Sequence, residues 1–153
     1  MIAILYVVIG LMAARGTICI FQKMFSPRSE QIFYAVFLIV IAAFYLAFAA
    51  YFRAGAAWPL ETTAVVAFAA IGLLGLRQPV ALMVGFSLHG VWDLLHELQA
   101  HGALSAFAPG EFTMIPLAYG LFCAAYDFSM VVYFYRRRVE WNAARRTLPK
   151  SVN

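Results

Sequence analysis

Charged side chains are scarce in this chain. Asp, Glu, Lys and Arg make up only 12% of its 153 residues, whereas they make up about a quarter of an ordinary soluble domain. Hydrophobic residues make up 65%, and long apolar runs recur along the whole length. This composition argues against a soluble fold and predicts one compact integral membrane domain, with no room for a second, soluble domain.

Several motifs of secreted proteins and soluble enzymes are also missing. Two cysteines, Cys19 and Cys123, are too few for a disulfide framework. The chain has no glycine-rich phosphate loop, no Ser-His-Asp order and no Cys-x-x-Cys motif. No positive segment precedes the first apolar run, so we expect a retained helix rather than a cleaved signal peptide. The net charge of +4 comes from loops and tail, which bears on membrane orientation and gives no reason to expect nucleic acid as a partner.

The apolar runs predict an all-α fold, an integral membrane bundle of five transmembrane helices within residues 1–138. A basic cytoplasmic tail is predicted over residues 139–153. The second span carries no charge, and we expect it to be a lipid-facing scaffold. The predicted spans cover residues 2–22, 32–52, 59–76, 80–99 and 115–135.

Five spans place the termini on opposite sides of the membrane, and the cations then select the orientation. With a cytoplasmic C-terminus, the outer side receives only Arg53. The cytoplasmic side receives Lys23, Arg28, Arg77, Arg136, Arg137, Arg138, Arg145, Arg146 and Lys150. Because cytoplasmic loops carry the Lys/Arg excess, we expect an outer N-terminus in a bacterial inner membrane. The tail is either a plain topology anchor or a segment that lies on the anionic inner leaflet through Trp141 and its arginines.

Four ionisable residues interrupt the fourth span. His89, Asp93 and His96 are spaced i, i+4 and i+7, so they share one helix face, with Glu97 at its edge. Charged groups are costly in lipid, and we expect this face to point toward protein or water. The sequence therefore predicts a polar site inside the bundle.

Ionisable groups of the neighbouring spans fall at matching depths. A rise of about 1.5 Å per residue places Glu61 near His96 at an outer level. It places Asp127 and Tyr126 near His89 at a middle level, with Arg15 close to the depth of Asp127. Asp93 could serve either level. The loop over residues 100–114 is expected to cover the outer level as a lid that bends at Gly102, Pro109 and Gly110.

Two interpretations of these groups remain open. Histidine nitrogen with carboxylate oxygen in a dry cavity suits a divalent metal ion, zinc or iron; the alternative is a hydrogen-bonded network that locks the bundle. His89 and His96 are separated by about 10 Å along the helix, so one ion is not expected to bind both. The candidate metal ligands are His89, Asp93, His96, Glu61 and Asp127.

The chain resembles an uncharacterised family of small polytopic bacterial membrane proteins. Four segments carry the resemblance: Ser26-Pro27-Arg28 with the following Phe33-Tyr34-Ala35, Glu61 at the start of a span, the run His89-Gly90-Val91-Trp92-Asp93-Leu94-Leu95-His96, and Cys123-Ala124-Ala125-Tyr126-Asp127. The resemblance implies an intramembrane Glu, a His-x3-Asp-x2-His helix and a Cys-x3-Asp helix. It brings no established activity and supports the choice of residues rather than a reaction.

The pattern favours a membrane-embedded hydrolase or isomerase that acts on a lipid-like or isoprenoid substrate entering from the bilayer. The candidate catalytic residues are Asp93, Asp127, Glu61 and Tyr126. One alternative is a non-enzymatic subunit or a haem- or pigment-binding protein, and another is a proton or metal-ion carrier. Membrane lipids are expected partners, and a homo-oligomer is compatible with the sequence.

Overall fold

The computed structural model describes residues 1–100, 107–108 and 110–146, and this part of the chain is entirely helical with no strand. The predicted all-α class is therefore confirmed. A short 3-10 helix, Gly55–Ala57, precedes the third α-helix. The five α-helices are α1 (Ile2–Met24), α2 (Pro27–Tyr51), α3 (Trp58–Gly75), α4 (Pro79–Ala100) and α5 (Tyr119–Arg146).

Two helices, α2 and α5, differ clearly in their bounds from the predicted spans. Helix α2 begins at Pro27, where proline suits the first helical position, and the Ser26 hydroxyl accepts the backbone N–H of Ser29 at 3.3 Å. Helix α5 begins at Tyr119, because Pro116 precedes it and Ala118 adopts a left-handed φ of 58°. It then continues to Arg146, so the predicted tail is helical over 139–146. Residues 147–153 lie outside the described part.

Within the described ranges, three segments are long and apolar enough to cross a membrane on length and composition: Ile2–Met24, Pro27–Tyr51 and Gly55–Gly75. This agrees with a membrane location. Helices α4 and α5 are the ones that carry the buried ionisable residues His89, Asp93 and Asp127.

Successive helices run in opposite directions, so their ends meet in two groups. At one end, Gln31 Nε2 donates to the Gly75 carbonyl oxygen at 2.7 Å, which joins the start of α2 to the end of α3. At the other end, the Glu97 carboxylate of α4 accepts the backbone N–H of Gly120 at the start of α5. The end of α4 and the beginning of α5 therefore lie at the same end of the bundle.

Helices α4 and α5 approach closely at Gly120. A Cβ at this position would lie 2.3 Å from the Asp93 carbonyl oxygen, so no larger residue fits without a shift. Below this contact, the core is filled by side chains with no exposed surface. They are Leu38, Leu82, Phe86, Met130 and Phe134.

The expectation that α2 is a lipid-facing scaffold is only half right. Tyr34, Leu38 and Tyr45 lie on one face of the helix and are buried. Val36 and Phe44 lie on another face and are about half exposed, at 50% and 47%. Helix α2 therefore has one face toward the other helices and contributes polar groups to the interior.

Candidate functional site

The middle level of the predicted site is a compact cluster of one histidine and two aspartates. His89 Nδ1 of α4 lies 2.7 Å from Asp127 Oδ2 of α5 and 3.1 Å from Asp93 Oδ2, one turn along α4. All three residues are at most 2% exposed. The sequence spacing of His89 and Asp93 and the matching depth of Asp127 thus predict this cluster.

Tyr45 of α2 completes the cluster, and the sequence interpretation missed it. Its hydroxyl donates a hydrogen bond to Asp93 Oδ1. Two signals were available: Tyr45 lies eleven residues, or about three turns, after Tyr34 on the same helix face. It also lies roughly 10 Å below the outer end of α2, which matches the depth expected for Asp93.

The outer level is a separate pair. His96 Nε2 of α4 lies 2.8 Å from Glu61 Oε1 at the start of α3, and both side chains have no exposed surface. The backbone N–H of Thr113 donates to the same Glu61 oxygen at 3.0 Å. The ring of Phe112 packs on the His96 ring at a centroid separation of 4.1 Å. Residues 112–113 thus cover this pair. Of the hinge positions predicted for the lid, Gly102 and Pro109 lie outside the described residues.

The hydrogen bonds of His96 fix how many protons the outer pair holds. His96 Nδ1 lies 3.0 Å from the Trp92 carbonyl oxygen, which can only accept, so Nδ1 carries a hydrogen. The contact between His96 Nε2 and Glu61 Oε1 also needs one hydrogen, on either the ring or the carboxyl group. The pair therefore holds a single hydrogen between His96 Nε2 and Glu61 Oε1.

Glu97 has a structural role beside the site. Its carboxylate accepts the backbone N–H of Ala118 and of Gly120, each at 3.1 Å. These are free donors at the start of α5, where a carboxylate also interacts favourably with the helix dipole. Glu97 therefore fixes the beginning of the helix that carries Asp127.

The donor atoms of the middle cluster are compatible with a metal ion. One ligand atom each from His89, Asp93 and Asp127 lie within 4.8 Å of one another. Among the described residues, Asp93 Oδ2 and His89 Nε2 are buried without a hydrogen-bond partner. His96 and Glu61, also candidate ligands from the sequence, form their own pair and do not belong to this group.

An apolar cavity of about 210 Å³ borders the middle cluster. His89, Asp127 and Tyr126 contribute to its wall, so the candidate proton donor Tyr126 lies beside the cluster. Cys123 and Phe44 also line it, and Phe44 is about half exposed at 47%. The cavity therefore connects the cluster with the outer surface of the bundle.

Arg15 does not pair with Asp127, although the two lie at similar expected depths. Asp127 is paired with His89, while Arg15 is exposed and lines a different cleft, together with Arg136.

A second buried polar cluster lies at the opposite end of the bundle and was not predicted. Glu30 of α2 has no exposed surface and accepts hydrogen bonds from the Tyr133 hydroxyl, from Arg137 Nε at 2.9 Å and from Trp141 Nε1 at 3.0 Å. The sequence interpretation had placed Glu30 in a loop. Trp141, for which a contact with the inner leaflet was one of two expected roles, is fully buried.

Comparison with known proteins gives a family and no activity. No curated protein and no solved structure matches the chain. Residues 1–139, which include every residue of the His89 cluster, match a family of unknown function, DUF6010. The expected membership of an uncharacterised family is thus confirmed, and the chain belongs to DUF6010.

Proposed function

We propose that the protein is a membrane-embedded, metal-dependent enzyme, a hydrolase or an isomerase, whose centre is the His89–Asp93–Asp127 cluster. The observation that carries this proposal is the convergence of three buried ligand atoms within 4.8 Å beside an apolar cavity. Buried ionisable groups in a membrane segment are costly, and they mark functional sites by default.

The donor set supports zinc or iron. One histidine nitrogen and two carboxylate oxygens leave a coordination position open for water or substrate, as catalytic sites require. The hydrogen bond from Tyr45 occupies Asp93 Oδ1 and leaves Oδ2 for the ion, which is the usual way in which a neighbouring group orients a ligand. A bound ion would supply an activated water or polarise a substrate oxygen.

The cavity supports a lipid-like or isoprenoid substrate. Its wall is formed mainly by apolar side chains of α1, α2 and α5, among them Ala13, Phe37 and Phe122. Its volume of about 210 Å³ is below the ~300–1,000 Å³ of sites that enclose a whole drug-sized ligand. The cavity therefore suits part of a hydrocarbon chain that enters sideways past Phe44.

Proton transfer is assigned to groups on both levels. Asp127 and Tyr126 line the cavity and are placed to exchange protons with a substrate there. Asp93 would hold the ion together with Asp127 and His89. The Glu61–His96 pair, one level above, holds one shareable proton and serves as a reserve acid or base.

We further propose that all five helices span a bacterial inner membrane, with the N-terminus outside. The ionisable groups of α4 are buried, while Val84, Leu88 and Val91 form an exposed apolar stripe at helical spacing. Phe128 and Val132 form a similar stripe on α5. Both helices thus present apolar surface outward, as lipid requires.

A haem protein is less well supported. Both nitrogens of His96 are occupied, by Trp92 and Glu61, and His89 lies on the same helix. Within the described part of one chain, His89 and His96 therefore do not form a pair of free histidines facing each other across a haem.

Elemental analysis of the purified full chain, with a visible spectrum, tests the proposal. The expected result is about one zinc or iron per chain and no Soret band. His89→Ala and Asp127→Asn should lose the ion while the protein still inserts, and Glu140→Gln, whose side chain is 58% exposed, should keep it. If the purified protein stays metal-free after incubation with zinc or iron, the metal-dependent mechanism is overturned. Unchanged metal content in both variants would overturn it as well.

A further inference from the structure

A cleft between α1 and α5 lies at the cation-rich end of the bundle, away from the His89 cluster. It has a volume of about 620 Å³, within the ~300–1,000 Å³ range of small-molecule sites. Arginine side chains from two helices line it: Arg15 of α1, and Arg136 and Arg137 of α5. We call it the basic cleft.

Arg15 is the feature of the basic cleft that most needs an explanation. It is the only charged residue in residues 2–22 of an otherwise apolar helix that could cross a membrane. Its side chain is exposed, and no hydrogen bond or ion pair holds its guanidinium within the described part of the chain. An intramembrane arginine is costly and is expected to have a partner. The structure provides no protein partner among those residues, so the partner is sought outside the chain.

Arg136 of α5 is likewise exposed, and it has no ion-pair partner among the residues that the structure describes. Arg137 is already engaged by Glu30 and Glu140. Three guanidinium groups against these two carboxylates leave an excess of positive charge at the cleft. Arg15 and Arg136 are therefore the groups available to a ligand, and the ligand should be an anion.

The cleft wall indicates what kind of anion this is. Leu11 and Val132, also in the wall, are 48% and 55% exposed and extend the cleft as an apolar surface. The Gln22 side chain supplies a neutral hydrogen-bonding group beside the arginines. A ligand that satisfies both parts carries a negative head group and a hydrocarbon chain. Guanidinium groups bind phosphate oxygens in two-pronged pairs.

We propose that the basic cleft binds an anionic phospholipid, with its phosphate between Arg15 and Arg136 and an acyl chain along Leu11 and Val132. The cations at this end of the bundle match the negative surface of a cytoplasmic leaflet. The proposal requires only that the helices lie in a bilayer, and it does not depend on the chemistry of the His89 cluster.

The test uses the full chain in a neutral detergent, titrated with dioleoylphosphatidylglycerol, dioleoylphosphatidylcholine or inorganic phosphate. Binding is followed by the shift in the thermal unfolding midpoint. The wild type should bind phosphatidylglycerol at least about tenfold more tightly than phosphatidylcholine, because guanidinium–phosphate bonds are charge-assisted. Inorganic phosphate should give no comparable shift. Equal binding of the two lipids overturns the proposal, and a full shift with inorganic phosphate replaces the lipid by a free anion.

Matched variants separate the cleft from the general positive charge of this end. Arg136→Gln alone should weaken phosphatidylglycerol binding about tenfold or more, and adding Arg15→Gln should weaken it further. Arg138→Gln is the control, since it removes the same charge from the same turn of α5, where the Arg138 guanidinium stacks 3.5 Å from the Tyr135 ring centre. It should leave binding unchanged. Equal weakening by Arg136→Gln and Arg138→Gln would show attraction to net charge and contradict a specific site.

Discussion

Tyr45 of α2 donates its hydroxyl hydrogen to Asp93 of α4, and so ties the apolar outer half of α2 to the polar centre of the bundle. The bond engages one carboxylate oxygen of Asp93 and leaves the other, Oδ2, 3.1 Å from His89 Nδ1. The orientation of Asp93 is thus set by three elements at once: its own helix, α2 through Tyr45, and α5 through the shared contact with His89.

Tyr45→Phe should weaken the metal binding proposed for the cluster by roughly 10- to 100-fold, which is typical for loss of a hydrogen bond to a ligand. The phenyl ring keeps the packing on the His96 ring, whose centroid lies 4.2 Å away, so the fold should persist. Competition with a chelator measures the affinity. Tyr51→Phe is the control, because this tyrosine is on the same helix and 79% exposed. Equal affinity in the two variants would mean that Tyr45 does not orient Asp93.

Glu61→Gln tests whether the outer pair shares one proton. The single oxygen Oε1 meets both His96 Nε2 and the Thr113 N–H. An amide oxygen there would face a second acceptor in neutral His96, and an amide nitrogen would face a second donor in Thr113. One buried bond is lost either way, which should reduce the free energy of unfolding by about 1–3 kcal/mol. Glu140→Gln, at 58% exposure, is the matched control. Wild-type stability in Glu61→Gln would contradict a shared proton in the outer pair.

The sequence predicts the parts of the site that follow from periodicity and depth. His89 and Asp93 are one turn apart on one helix, and Asp127 is at the same depth on another, so the cluster follows from a rise per residue and a count of spans. The separation of His96 from His89 is predicted on the same basis. The structure adds that His89 and His96 each have a carboxylate partner on another helix.

The missed residues share a physical reason. Tyr45 is amphipathic and is not marked by hydropathy as a buried polar group, and many tyrosines in the chain have no such role. Glu30 follows Ser26 and Pro27 closely in a polar stretch, which is typical of a loop as well as of a first helical turn. Its partners Tyr133, Arg137 and Trp141 are over 100 residues away in the chain. Local sequence pattern does not identify such a long-range pairing.

Gly120→Ala should destabilise the junction of α4 and α5. The added Cβ would lie 2.3 Å from the Asp93 carbonyl oxygen and 2.9 Å from Glu97 Cβ. Overpacking of this kind costs about 1–3 kcal/mol, and it displaces the backbone that carries Asp93. The thermal unfolding midpoint and the metal content should therefore fall together. Gly16→Ala, where a Cβ meets no atom within 4 Å, is the control: it should leave the metal content unchanged and should not lower the unfolding midpoint, since alanine favours a helix interior over glycine.

Reporter fusions test the proposed five spans and their orientation. A fusion after Asn153 should report the cytoplasmic side, and a fusion within residues 100–114 the outer side, because the cations of the described chain other than Arg53 and Arg15 lie at the first of these ends. Removal of Arg53 should not change either signal. Identical signals from both fusions would contradict a single crossing between the loop and the C-terminus, and with it the assignment of α5 as a membrane-spanning helix.

Trp141→Phe tests whether the segment after Arg138 is a structural part of the bundle or a basic tail that only sets topology. The Trp141 indole donates to Glu30 Oε2 at 3.0 Å and is fully buried. Phenylalanine fills most of the space and removes the donor, so the free energy of unfolding should fall by about 1–3 kcal/mol. Deletion of residues 139–153 also leaves a cavity beside Tyr34 and Phe134 and should cost roughly 3–5 kcal/mol. Deletion of residues 147–153 retains Trp141 and is the control. If the longer deletion is as stable as the shorter one, the inner cluster around Glu30 does not contribute to stability, and topology remains the role of the segment.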